Sequence, residues 1–260
     1  MFNEIVLKNN TSEHFTLISY PDGQHTIKLN MNKLNVKQSV LIKCRIRRFE
    51  ELEVLLCLVS ALKKNDFYIH AIYFVYLFGM RSDRAFDIGE PNYFRDVLSP
   101  IIKLIENESR IMILSPHNHH QLHYVNASPV GSMYDINLLN LPKFDGLRIG
   151  GDSSFYFTGG LHNHFIKERK DRIIVKLNKE ITEDFEQIFV MDDLCDGGAT
   201  FIAEGEYLKK KFPDKKLKLF VYHGLFTQGV HPLLAYYDEI ICTNSYQDID
   251  HPKVTQIKVI

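Results

Sequence analysis

One stretch of the chain concentrates residue types that can hold a charged ligand. It runs Ile188-Phe-Val-Met-Asp192-Asp193-Leu-Cys-Asp196-Gly197-Gly198-Ala199-Thr200-Phe201 and reads in three parts. Ile188 to Met191 is an apolar run of buried-strand length. Asp192 to Thr200 is a turn rich in acids and glycines. From Phe201 a helical pattern begins, with Phe201, Leu208 and Phe212 on one face and Pro213 closing it. The first amides of a helix have no partner inside it, and the helix dipole favours negative charge there. Gly197 and Gly198 let the backbone approach an anion closely, and Thr200 adds a hydroxyl. The acids narrow the choice of anion. Asp192 and Asp193 would repel a bare phosphate, but they can accept hydrogen bonds from vicinal hydroxyls. A ribose phosphate answers both halves, with phosphate on the loop amides and hydroxyls on the aspartates. The alternative is an ordinary strand-to-helix turn with an aspartate cap.

Other stretches carry their own chemistry. Arg81-Ser82-Asp83-Arg84 follows an apolar run, and two guanidinium forks flanking an acid could clamp a polyphosphate. The same residues could equally form a salt-bridged surface loop. Ser115-Pro-His117-Asn-His119-His120-Gln-Leu-His123 holds four histidines in seven residues, but no second Cys or His cluster at metal spacing supports a zinc site. Tyr20-Pro21-Asp22-Gly23-Gln24 is a strong turn sequence. Arg45, Arg47 and Arg48 lead into a helix and could bind phosphate or simply line a solvated entry. Cys195 lies inside the acidic loop with no ordered histidine partner, so packing suits it better than nucleophilic attack.

In order along the chain, these stretches resemble the motifs of the ribose-phosphate diphosphokinases, which make phosphoribosyl pyrophosphate. Asp192 to Phe201 is similar to that family's ribose-phosphate loop, and His223-Gly-Leu-Phe226-Thr to its Thr-His-Gly-Leu-Phe turn. Tyr20 to Gln24 resembles its Phe-Pro-Asp-Gly-Glu element, with Gln24 in place of glutamate. Arg81 to Arg84 resembles its Arg-Gln-Asp-Arg loop, with Ser82 in place of glutamine. His117 takes the place of the histidine of its Asp-x-His element, where Ser115 replaces the aspartate. Asp152 resembles the aspartate of its Pro-Asp-x-Gly turn. Lys176 matches the lysine of its catalytic Lys-Arg-Arg arm; Leu177 and Asn178 replace the arginines, and the segment to Asp192 is shorter than the usual arm.

The resemblance implies ribose 5-phosphate on Asp192, Asp193, Asp196, Gly197, Gly198, Ala199 and Thr200. It implies ATP as co-substrate at Asp22, Gln24, Arg81, Asp83, Arg84 and His117, and Mg²⁺ at His117 and Asp152. Lys176 and Arg81 would be the catalytic cations. A cytoplasmic homo-oligomer, dimer or hexamer, is implied, in a short form lacking the family's terminal helix. A phosphoribosyltransferase of nucleotide salvage would use the same loop, and a catalytically silent regulatory homologue would keep the fold while losing the arm.

The elements that must position these residues follow from patterning. The chain has 260 residues, 45% of them hydrophobic, enough for one large domain or two smaller ones. A net charge of -1 exerts no global pull towards nucleic acid or an anionic membrane. No apolar run reaches transmembrane length, Met1 to Ile5 does not read as a signal peptide, and four scattered cysteines read as reduced thiols. Short alternating bursts between residues 15 and 46 predict strands. Leu52, Leu55, Leu56, Val59 and Leu62 predict a helix over Glu50 to Lys64. Strands are expected at Ile69 to Tyr76, Arg110 to Leu114, Lys216 to Tyr222 and the C-terminal run from Val254. Asn126 to Leu141 reads as a crossing between halves. The expected fold is α/β: two phosphoribosyltransferase-like domains, each a mostly parallel sheet flanked by helices, residues 1–140 on the ATP side and 141–260 on the ribose 5-phosphate side.

Overall fold

A computed structural model describes residues 2–85, 87–106, 109–130, 141–151, 163–169, 173–182 and 184–260. The chain divides into two compact units, Met1–Val130 with Ile260, and Gly131–Val259. The expected boundary near residue 140 falls outside the described residues.

The first unit carries strands β1 (Asn3–Leu7), β2 (Phe15–Ser19), β3 (His25–Leu29), β4 (Val40–Ile46), β5 (Ile69–Leu77), β6 (Arg110–Leu114) and β7 (Ser128–Val130). Its helices are α1 (Phe49–Lys64) and α2 (Ser99–Glu106). Five strands form one sheet in the order β1-β4-β5-β6-β7, every neighbouring pair parallel. A parallel sheet flanked by helices is buried on both faces, and β5 accordingly reads as a near-continuous apolar run. β2 and β3 form a separate antiparallel hairpin.

The second unit carries β8 (Leu147–Gly150), β9 (Phe165–Arg169), β10 (Ile173–Leu177), β11 (Gln187–Cys195), β12 (Lys216–Gly224), β13 (Glu239–Thr243) and β14 (Val254–Ile257), with α3 (Ala199–Lys211) and α4 (His231–Leu234). Its sheet order, β14-β13-β12-β11-β8, is again parallel throughout, and β9 and β10 form a hairpin. The two units thus share one plan. An edge strand comes first, an antiparallel hairpin follows, and the remaining strands join the sheet in chain order. Each unit has its own apolar core.

The α/β class and the two parallel sheets agree with expectation; several elements do not. β11 runs on to Cys195, so Asp192 and Asp193 lie within a strand rather than a turn, because β12 continues to pair with it as far as Cys195↔Gly224. α3 begins at Ala199, two residues before the apolar pattern does, because Gly198 at φ +83 sets the turn that starts it. β1, β7, β9 and β13 carry no strong sequence signal. They are three to five residues long, too short for periodicity to declare itself.

Candidate functional site

The acidic loop is built where β8 stops and β11 continues. β8 pairs with β11 only from Ile188 to Met191, so the next two side chains project past the edge of that pairing. Gly151 donates its backbone N–H to Met191 O at 3.1 Å. A Cβ at Gly151 would collide with the Asp192 carboxylate, so the acid packs directly on bare backbone. Both acids are buried, with Asp192 8% and Asp193 7% exposed, and Asp192 Oδ1 accepts the Asp193 amide at 2.9 Å. Burial, then the neighbouring Asp193 charge, pushes the Asp192 carboxyl well above the usual carboxylate range, while the charge of Lys167 acts the other way.

The turn that follows, Asp196 to Gly198, is braced from a second strand end. Cys195 O accepts the amides of Leu225 at 2.9 Å and Phe226 at 3.2 Å. Asp196 O accepts the Thr227 amide at 3.1 Å, and Asp196 Oδ1 accepts the Thr227 hydroxyl at 2.9 Å. The His223-Gly-Leu-Phe turn is therefore the clamp on the acidic loop. Gly224 is required there, since a Cβ would enter the Phe226 ring, and Phe226 itself sits at φ +44. The histidine faces inward: His223 Nδ1 lies 2.8 Å from Ser245 Oγ, and that hydroxyl also donates to Tyr222 O at 3.3 Å. The polar corner Thr243-Asn244-Ser245 at the end of β13 is wholly buried and anchors this clamp. Its only sequence signal is three consecutive small polar residues after an apolar run.

α3 then opens with its N-terminus uncovered by side chains. Gly198 is the N-cap, makes no side-chain cap, and no acid occupies the first turn; Lys209, Lys210 and Lys211 sit in the last turn, where the dipole favours them. Gly198 packs against Leu233, which a Cβ would approach to 3.1 Å. Asp192, Asp193, Asp196, Gly197, Gly198, Ala199 and Thr200 thus form one corner. Cys195 is fully buried, and burial raises its thiol far above the usual range, which leaves it a packing residue.

Behind this corner lies a buried ion pair that sequence reading does not reach. Lys167 Nζ on β9 is 3.1 Å from Glu204 Oε1 on α3, with the two side chains 6% and 0% exposed. In the hairpin register Lys167 faces Val175, while Lys176 faces Ile166. Lys167 therefore shares the inner face with Phe165, Val175 and Leu177, and Lys176 stands exposed on the outer face. Lys176 lies within a regular strand, and Asn178 just after it accepts the His164 amide at 3.0 Å.

In the first unit, the predicted nucleotide residues gather at the carboxyl ends of two adjacent parallel strands. Arg81, Asp83 and Arg84 follow β5; Arg81 and Arg84 are exposed, and Arg84 Nε lies 3.3 Å from Asp83 Oδ1. His117 follows β6 and is half-buried. Asn118 joins the two ends: its amide donates to Asp83 Oδ2 at 2.8 Å, while its carbonyl oxygen accepts the His120 amide at 2.9 Å. Asn92 adds a hydrogen bond to Asp83 O at 2.7 Å. Asp22 and Gln24 sit apart from these loops in the chain's plan, in the exposed turn of the β2–β3 hairpin, where Asp22 Oδ1 accepts the Gln24 amide. His25, next in line, ties that hairpin to α1 through Glu53 at 2.9 Å. Asp152 lies outside the described residues. Among the described residues, no group of three or more His, Cys, Asp or Glu side chains is arranged to hold a metal ion. No helix among them is long and apolar enough to cross a membrane.

No protein-family model matches this chain, and no curated protein matches it. Solved structures do. The phosphoribosylpyrophosphate synthetase of Mycobacterium smegmatis superimposes with a TM-score of 0.72 at 13% sequence identity, covering 94% of this chain and 86% of that one. At that identity the likeness is one of fold. The chain therefore has the fold of the ribose-phosphate diphosphokinases, two mostly parallel five-stranded sheets flanked by helices.

Proposed function

We propose that the chain transfers the diphosphoryl group of ATP to the 1-hydroxyl of ribose 5-phosphate, giving phosphoribosyl pyrophosphate and AMP. The observation that carries the reading is the corner at the end of β11. A buried aspartate pair stands beside a helix N-terminus left open by Gly197 and Gly198, and a second strand end clamps the loop in place. That pairing of acids with bare amides suits a ligand carrying both hydroxyls and phosphate. The fold shared with a phosphoribosylpyrophosphate synthetase supports the same substrates.

In this reading the 5-phosphate rests on the amides of Gly197 to Thr200, and the ribose hydroxyls donate to Asp192, Asp193 and Asp196. Arg81, Asp83, Arg84 and His117 meet the ATP polyphosphate, and Asp22 and Gln24 meet the base. The 1-hydroxyl oxygen bonds to the β-phosphorus, the bond from that phosphorus to the α,β-bridging oxygen breaks, and AMP leaves while the hydroxyl proton passes to solvent. Phosphoryl chemistry of this kind depends on positioning and on offsetting charge. Lys176 and Arg81 are assigned to stabilise charge on the transferred group, which requires the hairpin to present its outer face to the nucleotide. Mg²⁺ suits the oxygen donors offered by these acids and would be held by His117 and Asp152. When bound, it neutralises polyphosphate charge. A homo-oligomer is the assembly this reading implies.

One feature favours a second reading, a regulatory homologue without turnover: Lys176 stands within a regular strand rather than on a free arm. Incubation with ribose 5-phosphate, ATP and Mg²⁺, followed by nucleotide analysis, separates the readings. AMP and phosphoribosyl pyrophosphate are expected in equal amounts. ADP in their place rejects the mechanism, and binding without turnover selects the regulatory protein.

A further inference from the structure

The buried pair Lys167–Glu204 has a position that packing alone does not require. Glu204 lies one turn into α3, four residues after Thr200, with its side chain fully buried. Phe201 and Leu208 on the same helix fill the core around it. Taking two charges out of water costs several kcal/mol per ion, and well-packed apolar residues of similar volume commonly serve stability as well or better. The pair nevertheless links two elements that both bear on the ribose-phosphate corner. Lys167 comes from the inner face of the β9–β10 hairpin, and Glu204 comes from the helix whose N-terminus closes the loop. The charges of both reach Asp192, the lysine favouring its ionised form and the glutamate opposing it.

We propose that Glu204 is a positioning residue that holds the Lys167 ammonium on the inner side of the Asp192–Asp193 pair, so that two adjacent buried carboxylates stay available to accept ribose hydroxyls. This rests on the ribose 5-phosphate reading of residues 192–200. Glu204 fixes Lys167 with its charge, and Lys167 supplies the compensating cation that the acids need while buried. Gly151, against which Asp192 packs, brings no side chain to do so. The two lysines of the hairpin are then divided in function by the strand's alternation: Lys167 serves the acids from inside, and Lys176 is left for the outer face.

A charge-exchanged protein tests this directly. The double variant Lys167→Glu with Glu204→Lys keeps an ion pair in the same place but sets a carboxylate beside Asp192. The second double variant, Lys167→Met with Glu204→Leu, removes both charges and retains apolar bulk. Each is measured by thermal unfolding and by calorimetric titration with ribose 5-phosphate and, separately, with ATP. The expected result is a melting temperature near wild type in at least the apolar variant, ribose 5-phosphate affinity down at least tenfold in every folded variant, and ATP affinity within threefold. Ribose 5-phosphate affinity within threefold of wild type in a folded double variant overturns the proposal and leaves the pair a structural tie. A wild-type chain that binds ATP but no ribose 5-phosphate overturns the loop reading itself, and this proposal with it.

Discussion

The two units solve the same topological problem in opposite ways. In each, the second strand of the sheet feeds a helix that leads to the third: β4 into α1, and β11 into α3. In the first unit the helix entry is closed by its own side chain. Glu51, at the third helical position, reaches back to accept the Arg47 amide at 2.5 Å and the Arg47 guanidinium at 2.9 Å, and is itself buried. This is the logic of a capping box, a glutamate three residues into the helix satisfying amides ahead of it. In the second unit the residue at that position is Phe201, which turns into the core and caps nothing. Glycine precedes it where the first unit has arginine. The same architecture is thus sealed by an internal anion in one unit and left open to an external one in the other. The lesson is that a shared plan does not confer a shared site. One side chain at the third position of the helix decides whether the entry is structural or available.

The sharpest way to break the comparison is to unseal the first unit. Glu51→Ala removes the carboxylate that satisfies Arg47, and thermal or denaturant unfolding should show a loss of about 3 kcal/mol. That is the low end for breaking a buried pair, because Arg47 is a quarter exposed. Glu51→Gln, which keeps the shape, should lose less. If Glu51→Ala is as stable as wild type, the entry is not sealed by that residue.

Lys176→Ala follows in expected size. The residue is exposed, so the fold should survive, while kcat falls on the order of a hundredfold or more, about 2.7 kcal/mol, with substrate binding little changed. Steady-state kinetics within a factor of about two of wild type would pass the role to another cation. The acids of the open entry come next. Asp193→Asn and Asp196→Asn should each weaken ribose 5-phosphate binding by about 1.5–3 kcal/mol, the worth of a charged hydrogen bond, and leave ATP binding intact. Calorimetry showing unchanged ribose 5-phosphate affinity in both would make the second entry as closed to ligand as the first. The smallest effect sharpens the role of the clamp. Thr227→Val removes the hydroxyl that Asp196 accepts at 2.9 Å, and should weaken ribose 5-phosphate binding by about 1 kcal/mol with little change in melting temperature.

What the sequence determined by itself was local. Glu50 to Lys64 declares a helix because its apolar residues recur with helical spacing, and Ile69 to Tyr76 declares a buried strand because it is apolar on both faces. The string from Asp192 to Thr200 declares a place for an anion with hydroxyls, since acids, glycines and the coming helix are neighbours in the chain. Tertiary structure decided everything that depends on partners far along the chain. Asp192 and Asp193 are strand residues because β12 pairs past them. The loop is held by Thr227, 31 residues from Asp196, and the two nucleotide-side loops are joined by Asn118, 35 residues from Asp83. Lys167 and Lys176 are both lysines in short strands, and the alternation of each strand leaves open which face is inner. Only the packing of the hairpin on α3 turned one lysine onto Glu204 and left the other in solvent. Charge pairs and strand faces are set by what the chain folds against, and that information lies outside any local window of residues.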